Sequence, residues 1–415
     1  MCMFINFLVK MLKFNVHSFR PLSTGNFLNI VITDLREEGV LQKSKSFYTI
    51  VEKCIKEEKL VNIIVPLVPN NHSDVNDFYL ASFDKYLSSD LFNVVFVEKQ
   101  SLRLAKLYSL LFICWFFIFS QGTFLTRVNL ACLSALNFFK VLNFYAIFDL
   151  LPCDNWLGLT GNAELLAFKL RNEIVGKKTR ISAVQFGQAS MDQFHFEDYH
   201  VDTLFVYDEV SAGVYNKLGV DVSSVVVCGS PEFEFYLNAI DDNQLQQQNR
   251  INVLFIDQPV FQRSEYSSSY LEEVHGVLFR LLNNTQLNIL VKKHPRGSAF
   301  RGAPLVFNNK TDDIIELMSI SHIVIGFYSN LCDLGLLKNR MVIFLGAESV
   351  LPPGKLDWIV SHGGIIVDTV AEVEEIIDTV SIDNICSSSV ASCVENHLET
   401  SSNVIYSKLV NSYGA

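Results

Sequence analysis

Short apolar runs alternate with amphipathic stretches along most of this chain, and this alternation limits the fold more than any other feature. Parallel strands need a crossover between them, usually a helix, so a parallel sheet repeats in strand–helix order along the sequence. In the first half, the apolar runs predict strands at 27–33, 61–68, 92–97, 181–185, 203–207 and 224–228. The amphipathic stretches predict helices at 44–57, 162–175 and 209–218. The fold class is therefore α/β.

A second series of the same kind follows the polar stretch 241–250, DDNQLQQQNR, which has the composition of a linker. A chain of 415 residues is also too long for one compact core. We therefore predict two domains, 1–240 and 251–415. The second series predicts strands at 252–256, 287–292, 322–326 and 341–345, and helices at 268–283, 312–319 and 331–338.

Charge and cysteine content exclude several classes of protein. The net charge is -11 and no basic stripe occurs, whereas a nucleic-acid binder needs clustered Lys and Arg to neutralise phosphates. The nine cysteines form no C-x-x-C pair and no Cys/His cluster, so the sequence indicates neither a zinc site nor a disulfide framework. We expect a reducing, cytoplasmic compartment.

One apolar stretch, 107–126, carries no charge and is long enough for a membrane span. Against a span, the polar residues at 120–122 interrupt it and a second apolar stretch, 128–148, follows. A single crossing would also place the two halves on opposite sides of a bilayer. We predict a helical insertion near 102–148, either buried or docked on the membrane surface, and leave a membrane-dipping hairpin as the alternative. The N-terminus has no cleavage site and indicates an amphipathic segment rather than a signal peptide.

A basic motif, KKHPRG at 292–297, follows a predicted strand of the second half. Ligands bind at the carboxyl ends of parallel strands, and proline fixes the loop there. Lys293, His294 and Arg296 can then contact a phosphate through charge-assisted hydrogen bonds. A solvated basic turn is the alternative. The position at a strand end favours the phosphate site.

Two further motifs occupy equivalent positions. In GFYSNLCDLGLLK, 326–338, Ser329 and Asn330 lie where a strand ends and an apolar helix begins, so they can form an anion cradle or simply cap the helix. In DQP, 257–259, Gln258 can bind phosphate or acceptor, or belong to an ordinary turn.

The order of these motifs resembles the C-terminal domain of bacterial surface-carbohydrate transferases of GT-B type. These include CDP-glycerol glycerophosphotransferases and bacterial sialyl- and polysialyltransferases. In those families the His of H-P and the serines of the later motif contact the donor phosphates, which implies that role for His294 and Ser329. Asn330 stands where the family has a second serine.

The likeness covers about 181–368 and includes the end of the first half. Gln185-Phe186-Gly187 is similar to the family's Q-H-G turn, which implies that Gln185 and Gly187 line the cleft. Phe186 excludes a histidine base at that position. The resemblance implies two Rossmann-like domains with parallel sheets facing a central cleft. The N-terminal domain would serve the acceptor and the C-terminal domain would bind the nucleotide sugar.

Catalysis in such an enzyme needs a base for the acceptor hydroxyl. Glu37 and Glu38, in R-E-E-G after the first predicted strand, resemble the two-acid-plus-Gly motif of the sialyltransferase group. A charged turn is the alternative there, and Asp34 and Asp192 are comparable candidates. We predict no metal and no cofactor beyond the nucleotide-activated sugar. Basic side chains and helix N-termini would neutralise the leaving phosphates. His362 is a further candidate, for the nucleotide base or ribose.

The leading interpretation is a glycosyltransferase that moves a sugar, such as a sialic acid or related acidic sugar, to a bacterial surface glycan. The partners would be a nucleotide sugar, a glycan or glycolipid acceptor and the membrane surface, but no nucleic acid. CDP-polyol phosphate transfer of teichoic-acid type is the alternative transfer reaction. UDP-N-acetylglucosamine 2-epimerases share the architecture and a G-S-P-like turn, and a catalytically silent GT-B binding protein is a third class.

Overall fold

The computed structural model describes fifteen ranges of the chain, and its described residues form two compact units. The first unit holds the described residues within Met1–Phe186, Asp192–Pro231 and Ser402–Ala415, and the second holds those within Glu232–Ser401. We keep 1–240 and 251–415 as a prediction about folding domains, which these units do not test. The described ranges are 14–18, 27–32, 37–68, 73–99, 147–148, 151, 153–160, 179–186, 200–218, 221–258, 267–284, 286–294, 311–346, 354–380 and 401–411.

In the described part of the first unit, eight strands form one sheet in the order β1-β4-β3-β2-β5-β6-β7-β8. Seven of them run parallel, and β1 pairs antiparallel with β4 at the edge. The strands are β1 Phe14–Ser18, β2 Leu28–Val31, β3 Val61–Val68, β4 Phe92–Lys99, β5 Asn155–Leu159, β6 Arg180–Val184, β7 His200–Val206 and β8 Asp221–Val227.

The described residues of the second unit form a five-stranded sheet in the order β10-β9-β11-β12-β13, and all of its pairs are parallel. Its strands are rich in Ile, Val and Leu because both faces of a parallel sheet are covered by helices. They are β9 Ile251–Ile256, β10 Leu287–Lys292, β11 Ile323–Gly326, β12 Met341–Leu345 and β13 Ile365–Val367.

Ten α-helices are described. They are α1 Glu37–Lys56, α2 Ser73–Ser82, α3 Glu209–Lys217, α4 Pro231–Ala239, α5 Ser268–Leu282, α6 Ile314–Ile320, α7 Asn330–Leu337, α8 Lys355–Ser361, α9 Val370–Asp378 and α10 Ser401–Asn411. Short 3-10 helices cover Asp84–Tyr86 and Asp242–Gln247. The last helix, α10, returns to the first unit, where the Tyr406 ring lies 5.9 Å from the ring of Phe27.

Buried asparagines align three strands of the first sheet. Asn29, Asn62 and Asn93 share one register across β2, β3 and β4, and the Asn62 amide donates to Asn29 Oδ1 at 2.8 Å. Asn29 in turn donates to the Leu151 carbonyl at 3.2 Å. A strand shifted by one residue would lose these contacts and leave buried polar groups unsatisfied, so the asparagines help to fix the register.

Helices cover both faces of the second sheet. Apolar residues of α5 and α9 pack on one face, and those of α4, α6, α7 and α8 pack on the other. The chain passes from β9 to β10 on one side of β9 and then returns to β11 on the other side. Because α5 follows β9 on one face while α7 follows β11 on the opposite face, the sheet has its topological switch point between β9 and β11.

The first sheet has an equivalent switch point between β2 and β5. The chain continues from β2 to β3 and β4 on one side and then returns to β5 on the other. In open α/β sheets, ligands bind outside the carboxyl ends of the strands at such a point. The order of strands therefore marks one candidate ligand-binding position in each unit.

The strands predicted from apolar runs are present, whereas β1, β5 and β13 were not predicted. The predicted helix 162–175 and nearly all of the predicted insertion 102–148, including the apolar stretch 107–126, lie outside the described residues. Among the helices that the structure describes, none has both the length and the apolar character needed to cross a membrane.

Candidate functional site

Three neighbouring strands of the second sheet bring most of the predicted phosphate-binding residues to one edge. Lys293 and His294 follow β10, and Gln258 follows β9. The register places Ile256, the last residue of β9, between Lys292 and Gly326. Since neighbouring strands lie about 4.8 Å apart, the ends of β10 and β11 are separated by about 10 Å. Side chains that extend from the two strand ends can therefore reach a phosphate group between them.

Two of these strands, β9 and β11, flank the switch point. Asp257 and Gln258 lie on one side of it, and 327–330 lie on the other. Asp257 is buried and its backbone N–H donates to the Lys292 carbonyl at 3.0 Å, so the pairing with β10 continues one residue past β9. Gln258 is half-buried at the edge.

Ser329 caps α7. Its Oγ accepts a hydrogen bond from the Leu331 backbone N–H at 3.3 Å, and its carbonyl accepts one from Cys332 N–H at 2.9 Å. The serine is 9% exposed, and Asn330 is the first residue of the helix. A hydroxyl has one donor as well as two acceptor lone pairs, so a capping serine can still donate to an anion. The cap and the anion cradle, which the sequence left as alternatives, are therefore compatible.

Two glycines hold α7 close to the sheet. A Cβ atom at Gly326 would lie 2.8 Å from Cys332 Sγ and 3.1 Å from Ile256 Cβ. At Gly335 a Cβ would lie 3.1 Å from Cγ2 of both Val324 and Val342. Burial raises the pKa of the Cys332 thiol, which makes this cysteine a packing residue rather than a nucleophile. The close packing fixes the start of α7 beside the end of β11.

The cationic residues after β10 are only partly described. Lys293 is exposed and His294 is half-buried. Arg296 lies outside the described residues. The structure thus brings Lys293, His294, Ser329 and Asn330 to the same edge of one sheet, and their contact with a phosphate stays a prediction.

A buried ion pair, which no motif in the sequence indicates, lies near this edge. Lys355 Nζ is 2.9 Å from Asp333 Oδ2, and the two side chains are 7% and 5% exposed. The ammonium group also lies 3.6 Å from the centre of the Trp358 ring and 6.0 Å from that of Tyr328. The only sequence signal was a single carboxylate within the apolar helix NLCDLGLL.

His362 contacts the same aromatic residue. Its ring stacks on Trp358 with a centroid distance of 4.3 Å, and Nδ1 lies 2.7 Å from the Trp358 carbonyl oxygen. The predicted role of His362 at a nucleotide base or ribose stays a prediction.

In the first unit, Glu37 and Glu38 are the first two residues of α1, which follows β2. They therefore begin a helix beside the β2/β5 switch point. The side chains of Glu37 and Glu38 are not described. Asp34 and Asp192 lie outside the described residues. The choice of catalytic base stays a prediction.

Gln185 links two strands at the carboxyl edge of the first sheet. It is 1% exposed, its Oε1 accepts from Tyr207 N–H at 3.0 Å, and its backbone N–H donates to the Phe205 carbonyl at 2.8 Å. Next to it, Phe186 N–H donates to Thr160 Oγ1 at 2.9 Å. Gly187 lies outside the described residues, and the cleft role of both residues stays a prediction.

In the part of the chain that the structure describes, no three His, Cys, Asp or Glu residues converge as metal ligands would. The predicted absence of a metal remains a prediction.

Comparison of the whole structure with solved proteins identifies the architecture. UDP-GlcNAc 2-epimerase from Neisseria meningitidis, bound to UDP-GlcNAc, superimposes with a TM-score of 0.59 at 11% identity, covering 94% of this chain and 100% of that one. The Methanocaldococcus jannaschii enzyme, in complex with UDP-GlcNAc and UDP, gives 0.54 at 12% identity, covering 94% and 100%. Trehalose 6-phosphate synthase from Burkholderia multivorans gives 0.52 at 11% identity, covering 94% and 97%.

The chain has the GT-B fold. Its two α/β units with parallel sheets match enzymes of that fold, as the sequence predicted. No protein-family model matches the sequence, and no curated protein sequence is similar to it. The GT-B neighbours named above are enzymes, and two of them are complexes with UDP-GlcNAc.

Proposed function

We propose that this GT-B chain is a glycosyltransferase that takes a sugar from a nucleotide donor. The observation that carries the proposal is the second sheet's carboxyl edge. There a basic segment after β10 and a serine-capped helix start after β11 lie on either side of β9. Nucleotide complexes of two GT-B neighbours support a nucleotide ligand for this fold.

In this proposal the second unit holds the donor phosphates. Lys293, His294 and Arg296 supply positive charge and charge-assisted hydrogen bonds. Ser329 and Asn330 contribute side chains and backbone N–H groups at the start of α7, where the helix dipole favours an anion. Fixed donors of this kind stabilise the charge that develops on the leaving phosphate. No metal is required for this step.

The first unit supplies the base. A carboxylate from Glu37, Glu38 or Asp34 would remove the proton of the acceptor hydroxyl. The acceptor oxygen would bond to the anomeric carbon of the sugar as the bond from that carbon to the donor phosphate breaks. The start of α1 beside the β2/β5 switch point supports the two glutamates.

We propose an acidic sugar such as a sialic acid as the transferred group, and a surface glycan or glycolipid (capsule, lipopolysaccharide or O-antigen) as the acceptor. Such an enzyme would work in the cytoplasm at the inner face of the membrane. Transfer of a polyol phosphate from a CDP-linked donor would use the same phosphate contacts. Incubation of the chain with a labelled CDP-polyol or a labelled CMP-sugar and the same acceptors separates the two reactions, because only the matching donor leaves its label in the acceptor.

A second candidate function is 2-epimerisation of a nucleotide sugar. It is favoured by the TM-scores, since the epimerases superimpose at 0.59 and 0.54 and the trehalose 6-phosphate synthase at 0.52. The turn at 229–231 is also Gly-Ser-Pro, with Gly229 at a φ of 82°. An epimerase would release an epimerised sugar, either free or still linked to its nucleotide, without any acceptor.

The first experiment measures ligand-induced stabilisation. Thermal unfolding of the chain is followed with CMP, CDP, UMP, UDP or GDP, since a ligand at a hundred times its Kd adds about 2.7 kcal/mol. His294→Ala should lower the affinity for the bound nucleotide about tenfold or more, because a hydrogen bond to a charged group is lost. His275→Ala, on α5 of the same unit, is the matched control. An unchanged affinity in His294→Ala would contradict the proposed phosphate site.

The second experiment follows the products of a labelled nucleotide sugar with and without a panel of glycan acceptors. Label in a larger glycan supports transfer, and acceptor-independent epimerisation supports the second candidate. Binding without turnover over a broad panel would favour a catalytically silent protein.

A further inference from the structure

The buried pair between Asp333 and Lys355 has no role in the site described so far. Removing two charges from water is unfavourable, and apolar substitutes for such pairs often leave stability unchanged or raised. Here both side chains are more than nine-tenths buried, within 2.9 Å of each other. Their location beside the switch point suggests an electrostatic function.

Asp333 lies in the first turn of α7, only four residues after Ser329. An uncompensated carboxylate there would repel a phosphate at the start of the helix, because the interaction of two charges is strong in a poorly solvated region. This repulsion is removed when a cation neutralises the carboxylate.

Lys355 supplies that cation from a different element. It is the first residue of α8, after Gly354, and its ammonium is shared between the Asp333 carboxylate and the Trp358 ring. It also lies 6.0 Å from the ring of Tyr328, the residue that precedes Ser329. The positive charge is therefore held close to the proposed phosphate contacts by α8 and not by the basic segment after β10.

We propose that Lys355 is a positioning residue for the donor. By neutralising Asp333, it allows the start of α7 to accept the negative charge of a nucleotide's phosphates. This inference rests on the proposed function.

The test compares ligands that differ only in charge. Titration calorimetry gives the affinities of uridine, UMP and UDP, or of the cytidine series if CDP binds more tightly in the screen above. The proteins are the wild type, Lys355→Met, Asp333→Asn and the double variant. A purely structural effect would change the affinity for all three ligands by the same factor, whereas an electrostatic effect grows with phosphate charge.

Lys355→Met should weaken UDP binding about tenfold and UMP binding less, with uridine nearly unchanged. Asp333→Asn should strengthen UDP binding about threefold or more relative to uridine. The double variant should return the UDP-to-uridine ratio close to that of the wild type. If Lys355→Met does not fold, Asp333→Asn and the double variant still give the comparison.

Equal changes for uridine and UDP in these variants would overturn the inference while leaving the proposed function intact. Failure of the wild-type chain to bind any of the nucleotides would overturn the proposed function and the inference with it.

Discussion

At the scale of single residues, the geometry of Ser329 allows helix capping and phosphate binding together. The Oγ accepts from Leu331 N–H, which caps α7, and the hydroxyl hydrogen remains a donor. The two roles can be separated because aspartate caps a helix as well as serine does but adds a negative charge.

Ser329→Asp should therefore retain the stability of the chain and lose nucleotide binding. Ser329→Ala should lower the free energy of unfolding by about 1 kcal/mol through loss of the cap. Urea unfolding and the nucleotide-induced thermal shift measure the two effects. Strong nucleotide binding by Ser329→Asp would show that the phosphates lie elsewhere.

Gly326 gives a second prediction, which concerns the packing of α7 on the sheet. A Cβ would lie 2.8 Å from Cys332 Sγ, so Gly326→Ala should push α7 away from β11 and destabilise the chain by about 1–3 kcal/mol. The control is Gly276→Ala in α5, where a Cβ meets only the end of the Arg280 side chain at 3.5 Å and alanine favours the helix. Equal urea midpoints for the two variants would contradict the close packing described here.

At the scale of secondary-structure elements, the base of the second sheet contains a buried histidine. His322, just before β11, accepts a hydrogen bond from Asn252 N–H through Nδ1 at 3.1 Å, which requires the neutral ring. Burial, and then the nearby Arg340, lower the pKa of His322. Arg340 is itself paired with Asp242 at 2.6 Å.

This arrangement predicts a loss of stability in mild acid. Below a pH of about 6.5 the unfolded chain takes up a proton at His322 that the native chain resists, so the free energy of unfolding falls with pH. His322→Asn keeps an acceptor but does not titrate. Between pH 7.5 and 5.5 its urea midpoint should therefore change less than that of the wild type. Parallel pH profiles for the two proteins would contradict the prediction.

Elements with a strong local signal could be predicted from the sequence, and those that depend on neighbours could not. The strands 287–292 and 341–345 were predicted at their observed bounds, because they are runs of apolar and β-branched residues. In contrast, β5 has the sequence NWLGL, with no β-branched residue and an internal glycine. It is a strand because it is buried between β2 and β6.

The same distinction applies to the site. His294 and Ser329 could be chosen as candidates because each follows a recognisable strand in a short motif. The pair Asp333–Lys355 joins residues 22 positions apart on two helices, and no local pattern indicates that contact.

At the scale of the whole molecule, the described sheet of each unit has one switch point, and the predicted residues divide between the two. The phosphate-binding candidates follow strands of the second sheet, and the two glutamates follow β2 of the first. This division is consistent with a GT-B enzyme in which the two units carry different tasks.

Neutralisation of the phosphates by protein groups alone predicts that metal removal has no effect. The nucleotide-induced thermal shift and the turnover of a nucleotide sugar should be unchanged in excess EDTA. A loss of either that added Mg²⁺ restores would contradict the assignment of this task to basic side chains and the start of α7.

The most direct test is a crystal structure of the chain with the nucleotide that stabilises it most. We expect the phosphate oxygens within hydrogen-bonding distance of Ser329 Oγ and the His294 ring, at the carboxyl edge of the second sheet. A nucleotide whose phosphates contact neither residue would contradict the account.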